Sequence, residues 1–472
     1  MGRSALISPL RYVVIGVAAI LLAVYAIFIR QYDYITSDQA AYVALIVMLG
    51  LLPAIFVLLD KREAALIPLM PLHGVFYAFT FGLPAFSKNT DWLAGSEDDI
   101  TDALVLTILG LFCLYLGYYT FRRFFGGLKP IRSRNVPLQQ QIRVAWILFG
   151  MYLAFQFFPV LRTLPSVDQL SAPLGYLSLG ILALLAFGDQ LPRRHLVLFK
   201  VSVVFTLLVT TLSGSLAPTV LFLTFFGILY WNKKRCIPWH FIFISALVAI
   251  LLNPVKQNYR DVAWYSEQSS LSYYDKAIVL GSVVQEYYSG ASVFATISED
   301  TSTVNRLAHI ATLGYVVKMT PASVPYWSGD SYRTLGTSFI PRALWPNKPQ
   351  ATIGQDFGHR YALIGPNDEW TSINLPWLVE FYANFGALGV LVGMFFVGVF
   401  FRFLVQKLRV PASAPMEHVL AVTVMFGLFY AESNFALMVG GILSTFIAFI
   451  VLLRLLTRGR AVASSTHVRR IP

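Results

Sequence analysis

Twelve apolar runs constrain this 472-residue chain more than any motif does. They fall near residues 10–29, 41–59, 64–85, 102–121, 144–161, 171–188, 196–213, 215–230, 238–254, 376–401, 415–431 and 435–453. A helix needs about 20 such residues to cross a hydrocarbon core of about 30 Å. The pair around Ser213-Gly214-Ser215 leaves room only for a very short hairpin. The first run is followed by no small-residue cleavage site, so it reads as a retained span rather than a signal peptide. Composition agrees: 57% of residues are hydrophobic and 13% charged, against about 25% charged in a soluble protein. That balance excludes a soluble globular enzyme, and it excludes a disordered chain, which needs low hydrophobicity and high net charge. Two cysteines, Cys113 in an apolar run and Cys236 in a basic loop, cannot make a disulfide framework.

The net charge of +12 raises the question of nucleic acid, and the placement of the charges answers it. With the N-terminus inside, the inner segments hold 24 of the 36 Lys and Arg, the short outer loops hold three, and one long outer loop holds nine. Acidic residues run the other way, four inside and 20 outside. Such a bias in short loops sets membrane orientation. The positive charge is therefore a topology signal spread over seven segments, and nucleic acid is not an expected partner. The fold class expected is an all-α polytopic membrane protein of about twelve transmembrane helices. Residues 1–254 carry nine spans, 255–375 form one large outer loop with short helices, 376–454 carry three spans, and 455–472 are a basic inner tail. Both termini are expected on the cytoplasmic side.

The long loop is polar, aromatic and punctuated by Pro and Gly, with Trp264, Trp327, Trp345 and Trp370 in it. Its aromatic content argues against disorder, and loops this long usually carry function. The stretches 274–297 and 303–319 read as partly amphipathic helices, with Leu307, Ile310, Gly314 and Val317 on one face of the second. The remainder, 320–375, reads as irregular.

Cations collect in this loop against the general bias: Lys256, Arg260, Arg306, Arg333, Arg342, Lys348 and Arg360. An Arg fork suits a phosphate, although loop acids such as Asp261, Asp330, Asp356 and Glu369 offer these cations ordinary partners. In Phe339-Ile340-Pro341-Arg342-Ala343-Leu344-Trp345-Pro346-Asn347-Lys348-Pro349, three prolines stiffen the backbone. They hold Arg342, Trp345 and Lys348 at three-residue spacing, which suits a ligand with phosphate and sugar parts. Glu380 lies at the start of the tenth run, where an ionisable group suggests function. Gly386, Gly389 and Gly393 behind it suggest close helix packing. Asp330, Glu380 and His309 are the candidate bases. No metal-ligand spacing and no nucleotide-binding Gly-rich loop occurs, so neither a metal nor a cofactor is expected.

The run SYRTLGTSFIPRALWPNKP followed by TSINLPWLVEFYANFGALGVLVGM resembles the Wzy-type oligosaccharide repeat-unit polymerases of bacterial O-antigen and exopolysaccharide synthesis. The similar block covers about 250–400; the N-terminal half is similar only in hydropathy and span count. Such proteins often carry an Arg in a short outer turn near mid-chain, where this chain has Ser213-Gly214-Ser215-Leu216-Ala217. They also often have an Arg followed some ten residues later by Gly, which Arg342 and Gly354 approximate. The resemblance implies a metal-independent glycosyltransferase at the outer face of the bacterial cytoplasmic (inner) membrane. It would transfer a growing glycan from undecaprenyl diphosphate onto an undecaprenyl-diphosphate-linked repeat unit, with the bilayer, a chain-length regulator and a flippase of the same pathway as partners. Arg342, Lys348, Arg306, Arg260, Lys256 and Arg333 would hold the diphosphate, and Trp345, Trp327 and Trp370 would stack on sugars. A flippase or exporter of lipid-linked oligosaccharide and an O-antigen ligase are the alternatives.

Overall fold

The computed structural model describes residues 36–59, 68–86, 97–131, 136–161, 170–265, 271–289, 308–338, 340, 345, 347–348, 352–410, 413–429 and 431–457. All regular structure among them is helical. In order these are α1 (Ser37–Leu59), α2 (Leu69–Tyr77), α3 (Glu97–Thr120), α4 (Leu138–Phe157), α5 (Ser171–Phe187), α6 (Arg193–Thr211), α7 (Leu216–Lys234) and α8 (Trp239–Leu252). Then follow α9 (Lys256–Tyr265), α10 (Tyr273–Ser289), α11 (His309–Met319), α12 (Ile353–Arg360), α13 (Trp377–Lys407), α14 (Pro415–Phe429) and α15 (Phe435–Thr457). The expected run at 10–29 and the stretch 290–307 lie outside the described residues.

Five of these helices are long and apolar enough to cross a membrane: α1, α3, α6, α13 and α15. Helices α5, α8 and α14 are apolar but shorter. The exposed side chains support the same reading. On α6, Val197, Val201, Val204 and Leu208 are exposed at four- and three-residue spacing, while Phe199, Ser202, Thr206 and Val209 are buried. A helix whose outer stripe is as apolar as its buried one is suited to lipid, not water. Helix α5 is enclosed on nearly every side, and α4, α7 and α14 pack around it.

Two apolar runs are not the single straight helices that the sequence suggests. The run at 64–85 forms α2, then one π-helical turn at Ala78–Gly82, then a 3-10 turn at Leu83–Phe86. The run at 376–401 is broken inside α13, where Phe385 has φ −140°, ψ 16° and Gly386 has φ 63°, ψ −153°. The short arm, 377–384, folds back along the long arm, 387–407. A Cβ on Gly393 would strike the Phe381 ring at 2.6 Å, and one on Gly389 the Phe381 carbonyl oxygen. Gly389 and Gly393 therefore make room for their own helix's short arm, not for a neighbouring span as their spacing suggests. At 1.5 Å per residue the long arm alone is about 31 Å, enough to cross the hydrocarbon.

Within 255–375 the structure has α9 to α12. Helices α9 and α10 form a small apolar cluster of their own around Val255, Tyr259, Ala263 and Val283. The 320–375 stretch is less irregular than expected, because α12 forms there. Ile353, Gly354, Phe357 and Gly358 at helical spacing give it one buried face. Two turns of pattern flanked by glycines are too short to stand out from the sequence.

Candidate functional site

Polar side chains gather inside the apolar bundle where three helix N-termini meet, those of α11, α13 and α15. Glu380, on the first turn of the short arm, is 0% exposed. Its Oε1 accepts the Ser331 hydroxyl at 2.6 Å, and its Oε2 accepts the Phe435 backbone N–H at 2.7 Å. Phe435 is the first residue of α15, so the carboxylate takes up one of that helix's four unbonded N–H groups. Asn434 Oδ1 takes the N–H of Leu437 in the same turn. Asn384 closes the arm: its Nδ2 donates to Ser331 Oγ at 2.9 Å and to the Glu380 carbonyl at 2.8 Å, while its Oδ1 accepts Gly329 N–H at 2.9 Å.

The break in α13 frees carbonyl groups that a continuous helix would have bonded, and a loop satisfies them. The Trp327 and Ser328 amides donate to the carbonyls of Ala383 and Asn384 at 2.9 and 3.2 Å. Tyr332, at the end of that loop, packs against Phe381, Phe385 and Phe435. Burial, and then the neighbouring Glu380 carboxylate, push its hydroxyl above the ordinary phenol range, so it stays protonated.

A second buried acid stands beside the first. Glu432, in the short turn between α14 and α15, has Oε1 3.2 Å from His309 Nε2 and accepts Asn374 Nδ2 on Oε2 at 2.8 Å. His309 is the first residue of α11 and is buried against the Phe76 and Phe81 rings. Of the three candidate bases, His309 and Glu380 thus lie in one polar cluster. Asp330 does not share their burial: it is exposed, with Oδ1 3.7 Å from Arg333 Nε. Glu432, Asn374, Asn384 and Ser331 are not singled out by the sequence. Glu432 has a legible signal, an acid between two apolar runs, which is the same signal that marks Glu380.

The cations are dispersed. Arg333 is exposed beside Asp330. Lys348 donates to the Ile340 carbonyl at 3.1 Å, and Lys256 to Asn253 Oδ1 at 3.0 Å. Arg260 Nε donates to the Gly214 carbonyl at 2.6 Å, so its guanidinium reaches the turn between α6 and α7. Arg342 and Arg306 lie outside the described residues. Of the tryptophans, Trp370 is 94% exposed, Trp345 is exposed, and Trp327 is half-buried. Arg360 lies over the Trp327 ring at 5.6 Å and donates Nη2 to the Pro325 carbonyl. Its Nε is buried without a hydrogen-bond acceptor. Among the described residues no group of His, Cys, Asp and Glu is arranged to hold a metal ion.

Residues 95–463 match a family described as a domain of unknown function (DUF8712). The chain belongs to that family. The matched stretch takes in every helix from α3 to α15, and with them Glu380, Glu432, His309, Arg360 and the loop that covers them. No curated protein and no solved structure matches the chain.

Proposed function

We propose that the protein is a membrane glycosyltransferase that polymerises undecaprenyl-diphosphate-linked oligosaccharide repeat units at the outer face of the bacterial cytoplasmic membrane. One observation carries the reading. The loop that bonds Glu380 through Ser331 and the short arm of α13 through the Trp327 amide also presents the Trp327 indole, over which the end of α12 places the Arg360 cation. Acid–base groups, a guanidinium with an unused donor and an indole plane are the side chains that a diphosphate-linked sugar requires. We also read the remaining apolar helices as crossings, which gives twelve spans with 255–375 outside.

In this reading each group has a distinct role. Glu432 Oε1, 3.2 Å from His309 Nε2, offsets the charge that forms as His309 takes the proton of the acceptor hydroxyl. Both Glu380 oxygens are engaged, so Glu380 anchors the start of α15 to the short arm and is not the base. Arg360, with Arg333 and Lys348 from the same loop, offsets the charge that develops as the diphosphate leaves. Arg260 brings a cation to the 213–215 turn, which has none of its own. The leaving diphosphate is already activated, so no nucleotide is consumed.

The test is the glycan of a deletion strain together with an assay on purified lipid-linked repeat unit. Loss of long chains with retention of single-repeat glycan, and a ladder of products in vitro, are the expected results. Absence of any outer glycan indicates a flippase, and unattached long chains indicate a ligase; either overturns the reading.

A further inference from the structure

Arg402, five residues before the end of α13, is 3% exposed, and its Nε and Nη1 are buried without an acceptor. Its guanidinium lies over the Tyr118 ring of α3 at 5.2 Å. The two helices are very close here. A Cβ on Gly117 would strike the Phe395 carbonyl oxygen, and one on Gly398 the Leu114 carbonyl oxygen.

Among the described residues Arg402 makes no ion pair. No Asp or Glu occurs from residue 103 to 167, which covers most of α3, the 121–131 hairpin and α4, nor from 381 to 416. The adjoining ends of α3 and α13 and the hairpin between α3 and α4 carry cations: Arg122, Arg123, Lys129, Lys407 and Arg409. The hairpin is held across the end of α13 by Ile131 N–H to the Lys407 carbonyl at 3.0 Å and Lys407 Nζ to the Lys129 carbonyl at 3.3 Å. Beside these cations sits an aromatic cluster of Phe121, Phe124, Phe125, Phe395 and Phe403, with ring centroids 5.0–6.2 Å apart. Phe124 and Phe403 are exposed.

A buried guanidinium with unused donors and no ion pair among the described residues is suited to an anion from outside the chain. Aromatic rings at the rim place that anion at the membrane interface, where basic pockets between helices hold acidic headgroups. We propose that Arg402 anchors a site for the phosphodiester headgroup of an anionic phospholipid, with the Phe121–Phe403 cluster against its acyl chains and Lys407 and Arg409 at its mouth. The charge bias makes this the cytoplasmic leaflet. The site is independent of the catalytic reading, since the two share no residue.

The test uses the purified full-length chain in neutral detergent, titrated with phosphatidylglycerol or phosphatidylcholine and read by native mass spectrometry. The wild type is expected to prefer phosphatidylglycerol by about ten-fold or more. Arg402→Gln is expected to lower that preference to about two-fold, and Lys129→Gln, which removes an exposed cation only, to leave it within about two-fold of wild type. If Arg402→Gln does not purify as a monodisperse species, Arg402→Lys replaces it. Its expected preference is below that of the wild type and above about two-fold, because Lys keeps the charge but lacks the fork. Equal binding of the two lipids, an unchanged preference in the Arg402 variant, or equal losses in the Arg402 and Lys129 variants overturns the site. Displacement of the lipid by millimolar inorganic phosphate would show a free-anion site and overturn the lipid assignment.

Discussion

Glu380 and Glu432 are both buried acids a few residues from a helix start, yet their neighbours give them different work. Glu380 accepts two hydrogen bonds, one on each oxygen, from Ser331 and from the Phe435 amide. In Glu380→Gln the amide oxygen still accepts Phe435 N–H, but its NH2 meets a Ser331 hydroxyl that must now find another acceptor. The expected loss is about 1–2 kcal/mol of stability with turnover retained; thermal unfolding in detergent beside the polymerisation assay measures both. Turnover lost in a well-folded Glu380→Gln protein would return the base role to Glu380. His309→Gln is expected to keep the fold and lower the rate by about 100- to 10,000-fold, read from the product ladder over time. A third acid offers a pH signature. Hydrogen bonds from Thr371, and then from the Trp370 amide, hold the Asp368 carboxyl below the usual range. A lowered folded pKa contributes stability above the ordinary carboxylate value that is lost as pH falls through the folded one. Amide exchange at Trp370 and Thr371, corrected for intrinsic rate, should therefore quicken below about pH 4, and Asp368→Asn should abolish that step.

At the scale of elements, the break in α13 is what creates the cluster, and it is also what the sequence conceals. The stretch 376–401 is apolar throughout, so hydropathy reads one continuous span; nothing in the run reports that its first eight residues fold back. Gly386 is the cause, because φ 63° with ψ −153° is a conformation essentially restricted to glycine, at a cost of about 1–3 kcal/mol for an L side chain. A Cβ there would also meet the Tyr326 hydroxyl at 2.8 Å. Gly386→Ala is expected to lower the unfolding temperature and to loosen the Trp327–Ala383 contact, seen as faster exchange of the Trp327 amide. If Gly386→Ala unfolds at the wild-type temperature, the break is not what shapes this arm. Other elements are legible. The helix at 273–289 and that ending at Met319 show in periodicity alone, and Glu380 stands out because charge is scarce near apolar runs. The partners of Glu380 are not legible, since Ser331 and Phe435 lie 49 and 55 positions away and only folding brings them together.

For the whole molecule, charge asymmetry is the strongest link between sequence and orientation. The basic ends of α3, α7 and α13 carry Arg122 and Arg123, Lys233 and Lys234, and Lys407 and Arg409. The packing obeys the same sense. Gly110 of α3 approaches Val390 and Met394, and Gly117 approaches Phe395 and Val399, so α3 and α13 run parallel and their basic ends coincide. Because the short arm folds back, the polar cluster lies beside the middle of the long arm, with Phe381 against Gly393 and Trp377 reaching Phe401, and the 255–375 loop above it is on the outer side if the basic ends face the cytoplasm. The native cysteines make this testable with little engineering. Cys236, between α7 and α8, is exposed and belongs to the basic side, whereas Cys113 is partly buried within α3. In intact cells a membrane-impermeant maleimide should leave the wild type unlabelled and should label it at Cys236 once the membrane is permeabilised. Ser272→Cys, at an exposed position ahead of α10, should become labelled in the intact cell when built on a Cys236→Ser background. Labelling of Cys236 from outside, with protection of the Ser272→Cys thiol under the same conditions, would invert the orientation. It would move the 255–375 loop, with Arg333, Lys348 and Arg360, to the cytoplasmic side, where no flipped lipid-linked sugar is presented.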